Sequence, residues 1–294
     1  MLAPKLLIPA GLLWVVFGCQ RAARPLTVGG KSTVEQSFLA EVAAQHLENR
    51  LGVKVDRRPN LGDTQTAHAA LTGSNIDLYP EHPCAALTTV LRFSVTPNAA
   101  AMWERVRAEY EVRFNLLWSP PLGFDNRFVV GIRKADADQF GVKTMADLAR
   151  RVPGWRVAMT REFEIRRDGM PLVSQKYRIP FSSAPVVMDP LAIVQALDQF
   201  KAEVVAAAVA DVVWERKDLV VLPDPAGALL PCEAAFVMRA EAEREHPGLQ
   251  KALAELGGKV SLETVKQANS RLASGRVAVE SAAHTFLREA GLSR

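Results

Sequence analysis

The sequence predicts an α/β protein of two lobes, each built on a doubly wound sheet, with a cleft between them. Three observations point there. Strand and helix patterns alternate from Leu26 to Tyr79, which is the signature of β-α-β units with parallel strands. After Pro120-Pro121 the alternation starts again at Arg127. The chain has 294 residues, 49% hydrophobic and 23% charged, which is enough for two separate cores.

Leu26-Thr27-Val28 is a short strand ending in Gly29-Gly30. Ser32 with Glu35 three residues on reads as a capping box, opening a helix with Phe38, Leu39, Val42 and Leu47 on one face. Val53 to Arg57 is the second strand, Thr64 to Leu71 the second helix, and Ile76 to Tyr79 the third strand, running into Pro80. A helix follows from Asn98 to about Leu117.

In the second unit Arg127 to Ile132 is a strand, Thr144 to Arg151 a helix, Trp155 to Met159 a strand and Asp189 to Phe200 a helix. Strands at Val204 to Val209 and Leu219 to Leu222 complete it. The strand Ala234 to Met238 is followed only by helices, at about 241–256, 261–272 and 279–290. Such a tail packs back on the first lobe more naturally than it starts a third. The predicted boundaries are therefore 27–121 with 232–294 for lobe 1 and 122–231 for lobe 2, and ligands of such folds sit in the cleft between.

The amino terminus carries one charge, Lys5, then an apolar run from Leu6 to Phe17 that is too short to span a bilayer. It has the length of a secretory h-region and stops at Val16-Phe17-Gly18-Cys19. This resembles a lipobox. Residues 1–18 then form a lipoprotein signal peptide, Cys19 is the lipidated residue, and 19–26 is a linker that tethers an extracytoplasmic protein, periplasmic or cell-surface, to a membrane. The net charge of +4 without a Lys/Arg block argues against nucleic acid as a partner. Three cysteines make no disulfide framework.

Several local patterns fall in a telling order: Val28-Gly29-Gly30-Lys31 with Glu35-Gln36, Asn60-Leu61-Gly62-Asp63-Thr64-Gln65, and Ile76-Asp77-Leu78-Tyr79-Pro80-Glu81. Pro121-Leu122-Gly123-Phe124-Asp125-Asn126, Glu162-Phe163 with Arg166 and Asp168-Gly169, and Phe286-Leu287-Arg288-Glu289-Ala290-Gly291-Leu292 come after. Together they resemble the glycine betaine/carnitine/choline-type (OpuAC-like) substrate-binding proteins of ABC importers. The resemblance implies a type II periplasmic-binding-protein fold and a small zwitterion or amine as ligand. It also implies delivery to permease and ATPase subunits on other chains, no cofactor, and no enzymatic role.

The family pattern divides a zwitterion between two subsites. Arg166 falls where an arginine meets the ligand carboxylate, and Lys31 stands just ahead of a helix N-terminus that favours an anion. The quaternary ammonium of family ligands sits among aromatics, whose π faces attract a cation without N–H donors. Here the matching positions hold His82, Ala85, Phe128, Ala208 (or Ala207) and Cys232, with Asn126 inside the matched motif. Only Phe128 keeps an aromatic face, so glycine betaine is expected to bind weakly. Cys84, Cys232 and His82 leave four readings open: a pocket for an N–H-bearing amine, a soft-metal site, a disulfide, or buried free thiols. A degenerate binding protein acting as sensor or scaffold, and a thiol-dependent enzyme using these residues, are the functional alternatives.

Overall fold

The computed structural model describes residues 24–95, 98–151, 154–179 and 184–293. Cys19 and the signal segment lie outside them. In chain order the elements are β1 (Leu26–Gly29), α1 (Val34–Leu51), β2 (Val55–Arg58), α2 (Thr64–Thr72), β3 (Leu78–Glu81) and α3 (Pro83–Ala85). A π-helical turn at Ala86–Val90 leads on to α4 (Ala99–Phe114), β4 (Leu116–Trp118), β5 (Phe128–Arg133), α5 (Lys134–Phe140) and α6 (Met145–Arg151). Then come β6 (Val157–Met159), α7 (Arg161–Ile165), α8 (Met170–Tyr177), β7 (Val186–Val187), α9 (Pro190–Asp198), β8 (Val204–Ala208) and, after a 3-10 turn, β9 (Leu219–Val221). The tail is β10 (Ala235–Arg239), α10 (Ala240–Glu245), α11 (Leu249–Ala254), α12 (Leu262–Ala273) and α13 (Val279–Glu289).

Two five-stranded sheets result, β2-β1-β3-β10-β4 and β7-β6-β8-β5-β9. Both are mixed, where the alternation alone predicts parallel strands. β1 runs parallel to β2 and β3, but β10 is antiparallel to β3 and β4. In the second sheet β6 is parallel to β7 and β8, and β5 is antiparallel to β8 and β9. The physical reason is the crossing between sheets: β5 and β10 each follow a passage from the other lobe and enter their sheet from the opposite end.

The helix read from Asn98 to Leu117 stops earlier. Asn115 takes a left-handed conformation (φ 55°) that ends α4, and the next three residues pair with β10 as β4. The N-cap is Thr33 rather than the predicted Ser32, and no reciprocal capping box forms with it. The Thr33 side chain accepts from Gln36 N, while Ser32 Oγ accepts from Gly62 N and Glu35 turns toward the cleft. The predicted helix at 241–256 divides into α10 and α11, broken at His246 and at Gly248, whose φ is 95°. Helices α5, α7 and α8 and the two-residue strand β7 were not legible as periodic segments, being short or half-exposed.

The lobes are joined by two adjacent crossings. Leu122 N donates to Ala234 O, Asn126 N to Cys232 O, and Asp125 pairs with Glu233 as an isolated antiparallel bridge. Gly123 is the tight point of this junction. Its φ is 116°, and a Cβ there would lie 2.9 Å from Gly258 Cα in the turn after α11. Gly123→Ala combines backbone strain with overpacking, so it should destabilise the protein by about 2–6 kcal/mol in urea unfolding. A change below 1 kcal/mol would show that the junction is looser than this packing.

Candidate functional site

The register of lobe 1 builds the first half of the site. Val28 pairs with Leu78 across the parallel strands β1 and β3, so three residues further on Lys31 and Glu81 emerge side by side at the carboxyl edge of the sheet. This is where open α/β sheets place their ligands. Lys31 Nζ forms an ion pair with Glu81 Oε1 and donates to Thr64 Oγ1 at 3.2 Å. Glu81 is fully buried, and it also accepts from His82 N at 2.7 Å and from the Tyr79 hydroxyl at 3.1 Å. Burial pushes the Glu81 carboxyl up, but the charges of Lys31 and His82 outweigh it and leave it below the ordinary carboxylate value.

Glu35, on the first turn of α1, lies 3.1 Å from His82 Nε2 through Oε1 and accepts from Asn126 Nδ2 through Oε2. Burial raises its carboxyl as well, and His82 and Lys31 bring it down below the ordinary value. The next residue, Gln36, is 1% exposed, and neither polar atom of its amide makes a hydrogen bond. Ala85 is fully buried on α3.

Lobe 2 supplies the other half. Phe128 and Ala208 are direct cross-strand partners at the end of β5 and β8. Phe128 is buried with its ring edge-on to Phe163 at 5.2 Å. Arg166, in the loop between α7 and α8, holds its guanidinium 4.4 Å over the Phe128 ring. Its Nε donates to Asp168 Oδ1 at 3.0 Å and its Nη2 donates to Asp168 Oδ2. Burial works against the Arg166 charge, but Asp168 more than compensates and raises its pKa. Ala208 N donates to Asp211 Oδ2 at 3.0 Å, and Ala208 O accepts from Trp214 Nε1 at 2.8 Å.

The two halves touch. Arg166 Nη2 lies 3.0 Å from Cys84 Sγ and 3.4 Å from Cys232 Sγ, Thr88 Oγ1 donates to Asp168 Oδ1 at 3.2 Å, and Asn126 bridges Glu35 to Ala210 N. Cys84 and Cys232, 148 residues apart in sequence, form a disulfide. It ties the floor of lobe 1 to the crossing that returns from lobe 2. Among the described residues Cys84, Cys232 and Asp168 have donor atoms within 4.8 Å of one another. The two sulfurs are bonded to each other and face a guanidinium, an arrangement that suits neither a bound cation nor a nucleophilic thiolate.

The predicted residues Lys31, His82, Asn126, Phe128, Arg166, Ala208 and Cys232 thus gather where the two lobes meet, and Ala85 is buried beside Cys84 on α3. Both predicted anion-binding cations already hold internal carboxylates. Glu35, Glu81, Asp168 and Asp211 are residues that the sequence reading left out of the site. Glu35 was assigned to a helix cap, and its place on the first turn of the helix that follows the Gly29-Gly30 turn was the signal available. Trp214 does not rebuild an aromatic cage, since its ring packs where a Gly131 Cβ would be, against β5. Trp118 packs edge-on to Trp103 and Tyr110.

The family defined as the substrate-binding domain of ABC-type glycine betaine transport systems, OpuAC, matches residues 24–289. The chain belongs to this family. Among its relatives is an ergothioneine transport permease/ergothioneine binding protein of Helicobacter pylori, EgtU, 28% identical over 97% of this chain. The chain spans about half (51%) of the length of that relative. The glycine betaine-binding protein YehZ of Escherichia coli is 25% identical, with 93% of each chain covered. In fold the chain is similar to a crystal structure of a glycine betaine/carnitine/choline ABC transporter protein (TM-score 0.76, 21% identity, 91% of this chain and 99% of that one). It is also similar to apo YehZ (TM-score 0.66, 23% identity, 92% and 100%). The two-lobed α/β class read from the sequence is the fold observed.

Asp211 has no ion pair among the described residues, and its charged neighbours Glu35 and Glu162 are both acidic. Burial, and then the negative charges of Glu35 and Glu162, push it from 3.8 up to about 7, against the pull of Ala208 N. The folded chain therefore binds more protons than the unfolded one between these values, so this group's contribution to stability is present below about pH 4 and is lost as pH rises to about 7. Asp211→Asn stays neutral throughout. Its melting temperature should match the parent's near pH 4 and exceed it increasingly up to about pH 7, then run level. A gap that does not change with pH would show that Asp211 is ionised and solvated in the fold.

Proposed function

We propose that this chain is the extracytoplasmic substrate-binding lipoprotein of an ABC importer, taking a small zwitterion or amine between its lobes. The observation that carries the proposal is the convergence, on one cleft of a family member's fold, of cation and carboxylate groups from both lobes. In this reading the crossings near 121–126 and 231–234 act as the hinge, and solute contacts to both lobes stabilise the closed state. Lys31, His82, Ala85, Asn126, Phe128, Arg166, Ala208 and Cys232 line the site. Asp168 holds Arg166 through Nε and Nη2, which leaves Nη1, without a hydrogen bond among the described residues, to take the solute's anionic group. Permease and ATPase are separate polypeptides that receive the solute.

The decisive measurement is a thermal-shift and calorimetry screen over betaines, choline, carnitine, ergothioneine, amino acids and polyamines. A solute bound at a hundred times its Kd should add about 2.7 kcal/mol of stability. Glycine betaine is expected to bind more weakly than about 100 μM, because each lost cation–π contact costs about 0.5–2 kcal/mol. Low-micromolar glycine betaine would return the site to the ordinary osmoprotectant class, and a screen without any binder would favour the sensor or scaffold alternative.

We further propose that Cys19 carries the membrane anchor. Stable attachment by acyl chains takes two of them, so Cys19→Ala should release the protein from the membrane fraction. Intact-mass analysis showing an unmodified Cys19 in membrane-bound protein would overturn this.

A further inference from the structure

Family-type recognition of a quaternary ammonium needs a free aromatic face. In this cleft the only aromatic retained at a matched position is Phe128, and its face is covered: the Arg166 guanidinium lies 4.4 Å above the ring, fixed there by Asp168 and resting on both sulfurs of the Cys84–Cys232 disulfide. The ring's edge contact with Phe163 places the remainder of Phe128 in the core of lobe 2. A second cation cannot share that face without meeting Arg166 at close range, where like charges repel in a poorly solvated site.

The negative groups of the cleft stand elsewhere. Glu35 (5% exposed) comes from lobe 1 and Asp211 from lobe 2, and Asn126 links the two segments through its bonds to Glu35 and to Ala210 N. They are near enough for the charge of Glu35 to help hold the Asp211 proton. The buried Gln36 amide beside Glu35, with neither polar atom in a hydrogen bond, is a further unused donor and acceptor at this end. Carboxylates and amide oxygens reward N–H donors, which a trimethylammonium group lacks.

We propose, resting on the solute-binding reading above, that Arg166 is itself the cation on the Phe128 face, and that the solute's cationic end is a nitrogen bearing N–H donors, received by Glu35 and Asp211. Arg166 thereby excludes quaternary ammonium groups from the aromatic position, and the specificity of the site passes to the two carboxylates.

The test is calorimetry with pairs that differ only in N-methylation: glycine and glycine betaine, 4-aminobutyrate and its trimethylated form, ethanolamine and choline. The N–H member should bind about tenfold or more tightly than its methylated partner, the worth of one or two charge-assisted hydrogen bonds. Asp211→Asn and Glu35→Gln should each shrink that ratio about tenfold. Phe128→Leu, which removes the π face but keeps an apolar side chain, should weaken both members of a pair equally. A tighter trimethylated member, a ratio unmoved by both carboxylate variants, or a selective loss of the methylated member in Phe128→Leu overturns the inference. If no pair binds but the wider screen finds a solute without a cationic nitrogen, the inference falls and the solute-binding reading stands. If nothing in the wider screen binds, both fall.

Discussion

Lys31 and Glu81 are buried together at the carboxyl ends of adjacent parallel strands, and neither charge could occupy its place alone. Moving a single ammonium or carboxylate out of water costs several kcal/mol, and removing one partner of such a pair typically costs about 3–5 kcal/mol. The pair survives because neighbouring polar groups are turned to it: Thr64 accepts from Lys31, and Glu81 also accepts from the Tyr79 hydroxyl and the His82 backbone. The parallel register that sets Val28 beside Leu78 places both residues, so the electrostatics of the cleft floor follow directly from strand pairing. With Lys31 committed to Glu81, the floor has no free cation among the described residues, and His82 is directed instead to Glu35.

Lobe 2 repeats the arrangement. Arg166 is committed to Asp168 by a two-point contact, and that contact orients its plane over Phe128. A guanidinium is suited to this because it is planar and weakly hydrated, whereas a lysine would offer a point charge without the stacking face. Gly169 is what lets the loop close up behind the pair, since a Cβ there would lie 2.2 Å from Phe163 O. Glu35 and Asp211 are left as the groups whose charge is least matched inside the cleft. One has His82 and Asn126 for company, and the other carries its proton to about pH 7.

How much of this was legible in the sequence differs by level. The alternating elements came through wherever apolar residues recur with a clear period, as in α1, β5 and β8. They failed at β4 and β7; β4 exists only through its pairing with β10 from the far end of the chain. Mixed sheets were invisible for the same reason: strand direction is a property of the crossings. The motifs name residues that the fold brings together where the lobes meet, but not the carboxylates that two of them hold. A lysine ahead of a helix and an arginine in a matched loop look like free anion receptors in sequence. Their carboxylates, Glu81 and Asp168, are 50 and 2 residues away, and only the folded register shows that the charges are already spoken for. Glu35 failed more instructively, since a one-residue shift of the cap from Ser32 to Thr33 turns an acid from helix terminus to cleft wall.

The residues that stand at the expected cage positions fit one another. The Cys84–Cys232 disulfide offers, in its two sulfurs, an apolar, polarizable rest for a guanidinium. Ala208, opposite Phe128 on the neighbouring strand, leaves room beside the ring, and its backbone fixes Asp211 and Trp214. These residues bring an internal cation, Arg166, into contact with the remaining aromatic and with both sulfurs, so contacts that a ligand would otherwise make between the lobes are made by the protein. Any solute must then compete with Arg166 on the disulfide, Thr88 on Asp168 and Asn126 on Glu35 for the same closed arrangement. Its net affinity is the surplus over those contacts. Selectivity follows from that surplus, because only groups that restore the lost hydrogen bonds recover what opening them costs.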